Sequence, residues 1–139
     1  MRNPERPGKQ QTKRQMKKDR CDGGLKKKAF STPDEKRSFD KGRLDLVALG
    51  GVTFGRATFQ PGWKWSTSVK PLVNTRSCES RHLQYHVSGR IRYRMQDGTE
   101  DEFGPGEVSL LPPGHDAWVV GNEPAVVIDL SGMQLFSLF

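Results

Sequence analysis

The chain has 139 residues and a formal net charge of +7. This charge is uneven, because residues 1–28 hold 11 Lys and Arg against three acidic residues, whereas the remainder holds 12 basic and 13 acidic residues. The length suits one domain. Because the remainder is close to neutral, the overall basic charge does not indicate a nucleic-acid-binding face on it. Two cysteines, Cys21 and Cys78, are too few for a disulfide framework, so we expect both to be reduced.

Residues 1–28 consist largely of Lys, Arg, Gln, Pro and Gly. Such a segment cannot bury enough apolar surface to offset its conformational entropy, which predicts a disordered basic tail. The tail either binds nucleic acid or acidic partners weakly and without sequence preference, or is merely a solvated extension. Met16 is an alternative start, in which case residues 1–15 do not belong to the native protein.

No apolar run approaches the length of about 18 residues that a membrane-spanning helix needs. The N-terminus also lacks the apolar core of a secretory signal. We therefore expect a cytoplasmic protein that does not bind a membrane.

Residues 29–42 are predicted to form an arm that lies along the following domain. Residues 43–132 alternate short apolar runs with Gly- and Pro-containing turns, which predicts eight or nine strands and no amphipathic helix. Asp97-Gly98 is a hairpin signal between two of these runs. Regularly spaced short strands are typical of a sandwich, jelly roll or barrel. The predicted strands are 44–48, 52–59, 81–87, 90–95, 99–103, 108–111, 117–120 and 125–130.

Two stretches of this domain resemble the conserved motifs of cupins. Gly106, Pro112 and Gly114 have the spacing of the second cupin motif, and the run Tyr85-His86-Val87-Ser88-Gly89 resembles the end of the first. The resemblance covers about residues 44–131. It implies an all-β cupin-type double-stranded β-helix, that is, a jelly-roll barrel.

The metal-ligand positions of the motifs depart from the family pattern. The three ligand positions of the first motif, usually His, His and Glu, carry Arg76, Cys78 and His82. The His position of the second motif carries Ala117, and a histidine stands two residues earlier, at His115. The usual three-histidine, one-glutamate site therefore cannot be assumed.

The residues that remain suggest a different metal site. Side chains two residues apart in a strand share a face, so His115 lies on the same face as Ala117. If Cys78, His82 and His115 converge in the barrel, a thiolate and two imidazoles suit a divalent metal, zinc before copper or iron. The alternative is that Cys78 is a small buried apolar residue and that His82 is hydrogen-bonded rather than ligated.

Further residues are candidates for a small-molecule pocket. Trp63 and Trp65 share a face if their segment is extended, and either line a pocket or form ordinary core or a dimer contact. Asp116 either orients His115 or caps the turn before it. The pocket-lining candidates are Gln84, His86, Tyr85, Arg56, Trp63, Trp65 and Trp118.

The function predicted from these features is small-molecule binding in the barrel through one divalent metal. The alternative is a metal-free ligand-sensing module or a structural dimer, in which the basic tail contacts nucleic acid or acidic partners. The apolar residues 133–139 would dock on the barrel or on a second subunit, and we expect a homodimer. Fold alone cannot select a reaction, so the catalytic residues and enzymatic activity stay open.

Overall fold

The structure is a computed structural model that describes residues 24–73 and 81–130, apart from the Val73 side chain. Within these residues the chain forms nine strands and two one-turn helices. Their bounds are β1 Glu35–Phe39, β2 Gly42–Leu49, β3 Val52–Phe59, α1 Trp65–Ser68, α2 Lys70–Val73, β4 His82–Ser88, β5 Ile91–Met95, β6 Glu100–Phe103, β7 Val108–Leu111, β8 His115–Val119 and β9 Ala125–Asp129.

The strands form two antiparallel sheets. The larger sheet has the order β1-β2-β3-β9-β4-β7, and the smaller has the order β6-β5-β8. The last strand, β9, therefore lies between β3 and β4, so that strands distant in sequence become neighbours in the sheet. The predicted all-β jelly-roll fold is confirmed.

Alternating side chains explain why these segments form half-buried strands. In β5, Ile91 and Tyr93 are buried, whereas the arginines between and after them face outward. Arg92 Nε donates to Glu100 Oε1 on β6 at 2.7 Å. The Asp97-Gly98 turn joins these two strands, and Gly98 has a φ of 92°, which glycine adopts without steric cost. Opposite charges across the pair and a glycine turn support the same hairpin.

The core lies between the two sheets. Apolar and aromatic side chains from both sheets and from the segment that carries the helices are buried against one another. They are Leu44, Ala57, Phe59, Trp63, Trp65, Val69, Ile91, Tyr93, Leu111, Ala117, Val119, Ala125 and Val127.

The helices α1 and α2 differ from the prediction, which placed no helix in this part of the chain. The backbone N–H of Ser66 donates to Asp116 Oδ1 on β8 at 3.1 Å. A carboxylate from a strand about 50 residues away thus satisfies an N–H of the first turn. Because this contact joins residues distant in sequence, no local sequence pattern predicts the helix. Both tryptophans are buried, but Trp63 follows a turn and Trp65 begins α1, so they do not lie in one extended segment.

Two predictions concern segments outside the described residues, and a third concerns a segment that the structure describes. The disorder of the basic tail falls largely on residues 1–23, and the docking of residues 133–139 falls wholly outside the described ranges. The predicted arm, residues 29–42, contains β1, which pairs with β2 from Glu35 opposite Leu46 to Phe39 opposite Gly42. In the described part of the chain, no helix has the length and apolarity needed to cross a membrane.

Candidate ligand- and metal-binding site

The two sheets enclose a cavity of about 40 Å³. A buried water needs roughly 10–15 Å³, so a few waters or one compact ligand fit. Among the described residues, the wall combines aromatic and aliphatic side chains with two imidazoles and one amide, and carries no Asp, Glu, Lys or Arg. The lining residues are Phe39, Phe59, Trp63, Trp65, Val69, His82, Gln84, Ile91, Tyr93, Leu111, His115 and Ala117.

His82, the first residue of β4, lines this cavity. Its Nδ1 lies 2.6 Å from Asp129 Oδ2, and both side chains are buried. An ionised carboxylate only accepts hydrogen bonds, so the proton of the neutral imidazole lies on Nδ1. Nε2 is then the nitrogen that carries the lone pair.

Asp129 is held by further hydrogen bonds. Gln84 Nε2 donates to the same oxygen, Oδ2, at 3.3 Å, and the Tyr93 hydroxyl donates to Gln84 Oε1 at 3.0 Å. The buried chain therefore runs from Tyr93 through Gln84 to Asp129 and His82. Connected buried hydrogen bonds of this kind restrict side-chain orientation.

His115, the first residue of β8, also lines the cavity. Its Nδ1 donates to the carbonyl oxygen of Pro112 at 2.7 Å, which again leaves the lone pair on Nε2. The ring centroids of His82 and His115 are 5.5 Å apart. The shift of two residues from the motif position keeps His115 on the inward face, because Ala117 lines the same cavity.

The third predicted ligand, Cys78, lies outside the described residues. Across residues 24–73 and 81–130, no group of three or more His, Cys, Asp and Glu side chains is arranged to hold a metal ion. The structure therefore brings together two of the three predicted ligands.

The two tryptophans contribute polar atoms as well as apolar surface. Trp63 and Trp65 are both 4% exposed. The indole Nε1 of each is buried and has no hydrogen-bond partner within the described part of the chain. A buried unsatisfied donor costs about 1–3 kcal/mol, so each N–H would gain from an acceptor within its reach.

Three pocket candidates do not line the cavity. Tyr85 is 43% exposed because it alternates with the inward Gln84 and His86. Arg56 Nη2 donates to buried Asp45 at 3.1 Å, on the outward side of β3. Trp118 alternates with Ala117, and its ring centroid lies 5.2 Å from Lys64 Nζ.

A fourth candidate, His86, is buried but belongs to the barrel interior beside the cavity. Its Nε2 lies 2.9 Å from Ser109 Oγ, and its ring stacks on Phe103 with centroids 5.3 Å apart. Asp116 orients no imidazole, since its Oδ1 accepts from the backbone N–H of Ser66 and of Ala117.

Burial lowers the pKa of His86 from its ordinary value of 6.5, although the negative charge of Glu107 opposes this shift. The unfolded chain then binds a proton more tightly than the folded one, so stability is lost as pH falls below about 6.5. We expect His86→Phe, which keeps a stacking ring, to show a smaller loss of unfolding free energy between about pH 7.5 and about pH 5.5. Urea denaturation at both values measures this, and equal losses in the two proteins would contradict it.

Sequence reasoning missed Asp129. It lies in the predicted strand 125–130, two residues from Val127 and four from Ala125, both of which are buried. Since residues two apart share a face, an aspartate at this position points into the barrel. The alternation of buried residues in this strand could therefore have identified Asp129 as an inward carboxylate of the site.

The two antiparallel sheets form a cupin-type jelly-roll barrel. Comparison with known proteins gives no match to a protein-family model and none to a curated protein. Solved structures do match. A protein of unknown function from Rhizobium leguminosarum has a TM-score of 0.55 at 21% identity, covering 76% of this chain and 94% of that one.

Two further structures extend this likeness. A DUF1255 protein of unknown function from Acidithiobacillus ferrooxidans has a TM-score of 0.54 at 20% identity, covering 71% of this chain and 88% of that one. Oxalate decarboxylase from Lactobacillus farciminis, solved as a formate complex, has a TM-score of 0.50 at 17% identity. That match covers 68% of this chain but only 30% of the decarboxylase. These likenesses confirm the cupin-type fold and carry no activity to this chain.

Proposed function

We propose that this protein binds a small molecule in the barrel cavity through one divalent metal, with His82 and His115 as two of its ligands. The observation that carries the proposal is the shared arrangement of these imidazoles. Both line one cavity, and in both the Nδ1 hydrogen bond makes Nε2 the lone-pair nitrogen. Metal-binding histidines usually have their other nitrogen bonded to a carboxylate or a backbone carbonyl, as here.

The donor chemistry fits a divalent metal. Neutral imidazole nitrogens are ligands for zinc, copper and iron, and a thiolate from Cys78 would favour zinc among these. Three protein ligands leave one position open for a small molecule. The ion would supply a positive charge that polarises a carbonyl or activates water.

The remaining residues of the site have roles of their own. Asp129 orients His82, and the Tyr93–Gln84 pair holds Asp129 in place. The apolar wall, for example Ile91 and Leu111, excludes bulk water and so strengthens every polar interaction inside the cavity. The size of the cavity limits the ligand to a compact molecule.

A metal-free binding module is the second candidate, and the two indoles favour it. Trp63, Trp65 and His115 line one cavity. The two indoles have buried N–H groups without a partner among the described residues, and His115 has Nε2 as an acceptor. A compact ligand with both acceptor and donor groups would satisfy them without an ion.

Elemental analysis of the purified protein after expression with added zinc, iron and copper tests the proposal. We expect about one equivalent of metal in the wild type and far less in His115→Gln or Cys78→Ser, because each variant removes a ligand. His86→Phe is the matched control, since it removes a buried histidine outside the cavity. A wild type without metal, or full occupancy in His115→Gln, would refute the proposal.

The same preparation distinguishes the second candidate. Binding of a compact ligand that quenches tryptophan fluorescence equally in metal-loaded and chelator-treated protein supports the metal-free module. Loss of that binding after chelation supports the metal-dependent one.

A further inference from the structure

The two ends of the chain carry opposite charge. Residues 1–59 hold 16 of the 23 basic residues and seven of the 16 acidic ones, whereas residues 95–139 hold eight acidic residues and no basic one. The arginines at positions 90, 92 and 94 do not alter this division, because each forms an ion pair with Glu100 or Glu102 on β6. The excess positive charge therefore belongs to the N-terminal segment and to the strands β1–β3.

The segment before β1 is attached to the outward side of β2 and β3. The Phe30 ring lies over Arg56, with 5.1 Å between the ring centroid and the guanidinium carbon. Lys28 Nζ donates to Asp34 Oδ1 at 3.0 Å, and the backbone N–H of Asp34 donates to the carbonyl oxygen of Leu46 at 2.8 Å. The part of the chain that directly precedes Phe30 therefore lies beside this side of the sheet.

Basic side chains of β1, β2 and β3 share this face. Lys36 and Arg56 both lie opposite Asp45, and Arg43 lies two residues from Asp45 on the same strand. Opposite residues, and residues two apart in a strand, lie on one face of a sheet. Asp45 is 1% exposed and accepts from Arg43 Nε and Arg56 Nη2, so two positive groups enclose its negative charge. The basic surface consists of Lys26, Lys27, Lys28, Lys36, Arg43 and Arg56.

The composition of this region identifies the class of partner. Residues 1–28 contain no aromatic, Ile or Val residue, and their only large apolar residues are Met1, Met16 and Leu25. Interfacial segments bind a membrane through a continuous apolar face, and protein interfaces have an apolar centre rich in aromatic residues. Nucleic-acid interfaces are instead polar and strongly basic. A region that has positive charge without an apolar centre therefore fits the phosphate backbone of nucleic acid.

The number of charges suits a linear polyanion. Residues 1–23 add eight basic and three acidic residues to the charge of the basic surface. Double-stranded DNA carries one negative charge per about 1.7 Å of its axis, so it pairs with many cations at once. A small anion, in contrast, pairs with only a few of them. Binding by this region therefore depends on the number of phosphates contacted rather than on base sequence.

We propose that residues 1–28 and the basic surface together bind nucleic acid through its phosphate backbone, without sequence preference. The cavity between the sheets lies on the opposite side of β3, where Phe59 lines it. The two binding functions therefore occupy separate faces, and this proposal is independent of the proposed metal.

Fluorescence anisotropy of a labelled DNA duplex, titrated with the full chain at several salt concentrations between about 50 and about 200 mM, tests the proposal. The logarithm of the affinity should fall linearly with the logarithm of the salt concentration. Lys27→Gln combined with Lys36→Gln should weaken binding and reduce the magnitude of the slope by about 2, since each lysine on a phosphate contributes about 1. Both lysines are exposed.

Arg81→Gln combined with Arg94→Gln is the matched control. It removes the same charge from two exposed positions outside the basic surface, so the slope should stay that of the wild type. Circular dichroism establishes that both double variants are folded. Equal reductions of the slope in the two double variants would overturn the proposal, because net charge alone would then determine the affinity.

The partner class is tested with the same protein. Equal affinity for duplexes of two unrelated sequences supports the proposal, and a strong preference for one of them would contradict it. Tighter binding to phosphatidylserine vesicles than to the duplex would assign the region to a membrane surface instead. Displacement of the duplex by polyglutamate at equal charge would assign it to acidic proteins. A wild type that does not bind the duplex at about 50 mM salt would also overturn the proposal.

Discussion

Asp129→Asn should weaken metal binding by about 10–100-fold. The carboxylate lies 2.6 Å from His82 Nδ1, where it holds the ring orientation and raises the basicity of Nε2. An asparagine oxygen still accepts the hydrogen bond but carries no charge, so both effects diminish. Titration of the metal-free variant with zinc in competition with a chromophoric chelator measures the change.

Asp116→Asn is the control for this prediction. Asp116 is adjacent to His115 in sequence, but its carboxylate accepts from backbone N–H groups of Ser66 and Ala117 instead of from a ring. We expect its metal affinity to match that of the wild type. Equal weakening in both variants would indicate a general electrostatic effect of removing a negative charge, and would contradict the role assigned to Asp129.

Gly89→Ala should destabilise the barrel by about 2–5 kcal/mol. Gly89 connects β4 to β5 with a φ of 72°, in the left-handed region that side chains disfavour. A Cβ there would collide with the carbonyl oxygen of Pro124 and lie 2.5 Å from Ala125 Cα. Both are backbone atoms at the start of β9, so relief of the clash must move a central strand.

Gly106→Ala distinguishes the conformational strain of a positive φ from the steric clash of a Cβ atom. Gly106 has a φ of 87°, but a Cβ there would meet no heavy atom within 4 Å. Gly106→Ala should therefore lower the free energy of unfolding only by the conformational strain, about 1–2 kcal/mol. Urea unfolding followed by tryptophan fluorescence measures both. Similar losses in the two variants would show that the close approach of Pro124 contributes nothing.

Much of the fold could be predicted from local patterns. The alternating arginines and Asp97-Gly98 predict the β5–β6 hairpin, because strand period and turn chemistry are both local properties. The pairing of β9 with β3 and β4, in contrast, could not be predicted from local patterns. Nothing within residues 125–130 says which strands will flank them, since that choice depends on which arrangement buries the most apolar surface.

The residues of the candidate site also differ in whether local patterns could predict them. His82 and His115 were identified because motif spacing and strand alternation place both on inward faces. Arg56, Tyr85 and Trp118 were predicted to line a pocket on residue type alone. None of them lines the cavity. The helices were missed for a related reason, since α1 begins where Asp116 reaches Ser66 from a distant strand.

Alternation, glycine turns and motif spacing act over a few residues, so the jelly-roll class, most strand positions and the two histidines could be predicted without the structure. The set of side chains that shares the cavity, and the hydrogen bonds from the two imidazoles to Asp129 and Pro112, depend on how the sheets pack. These contacts involve residues up to 78 positions apart in the chain, as for Phe39 and Ala117, and they exist only once the sheets have formed.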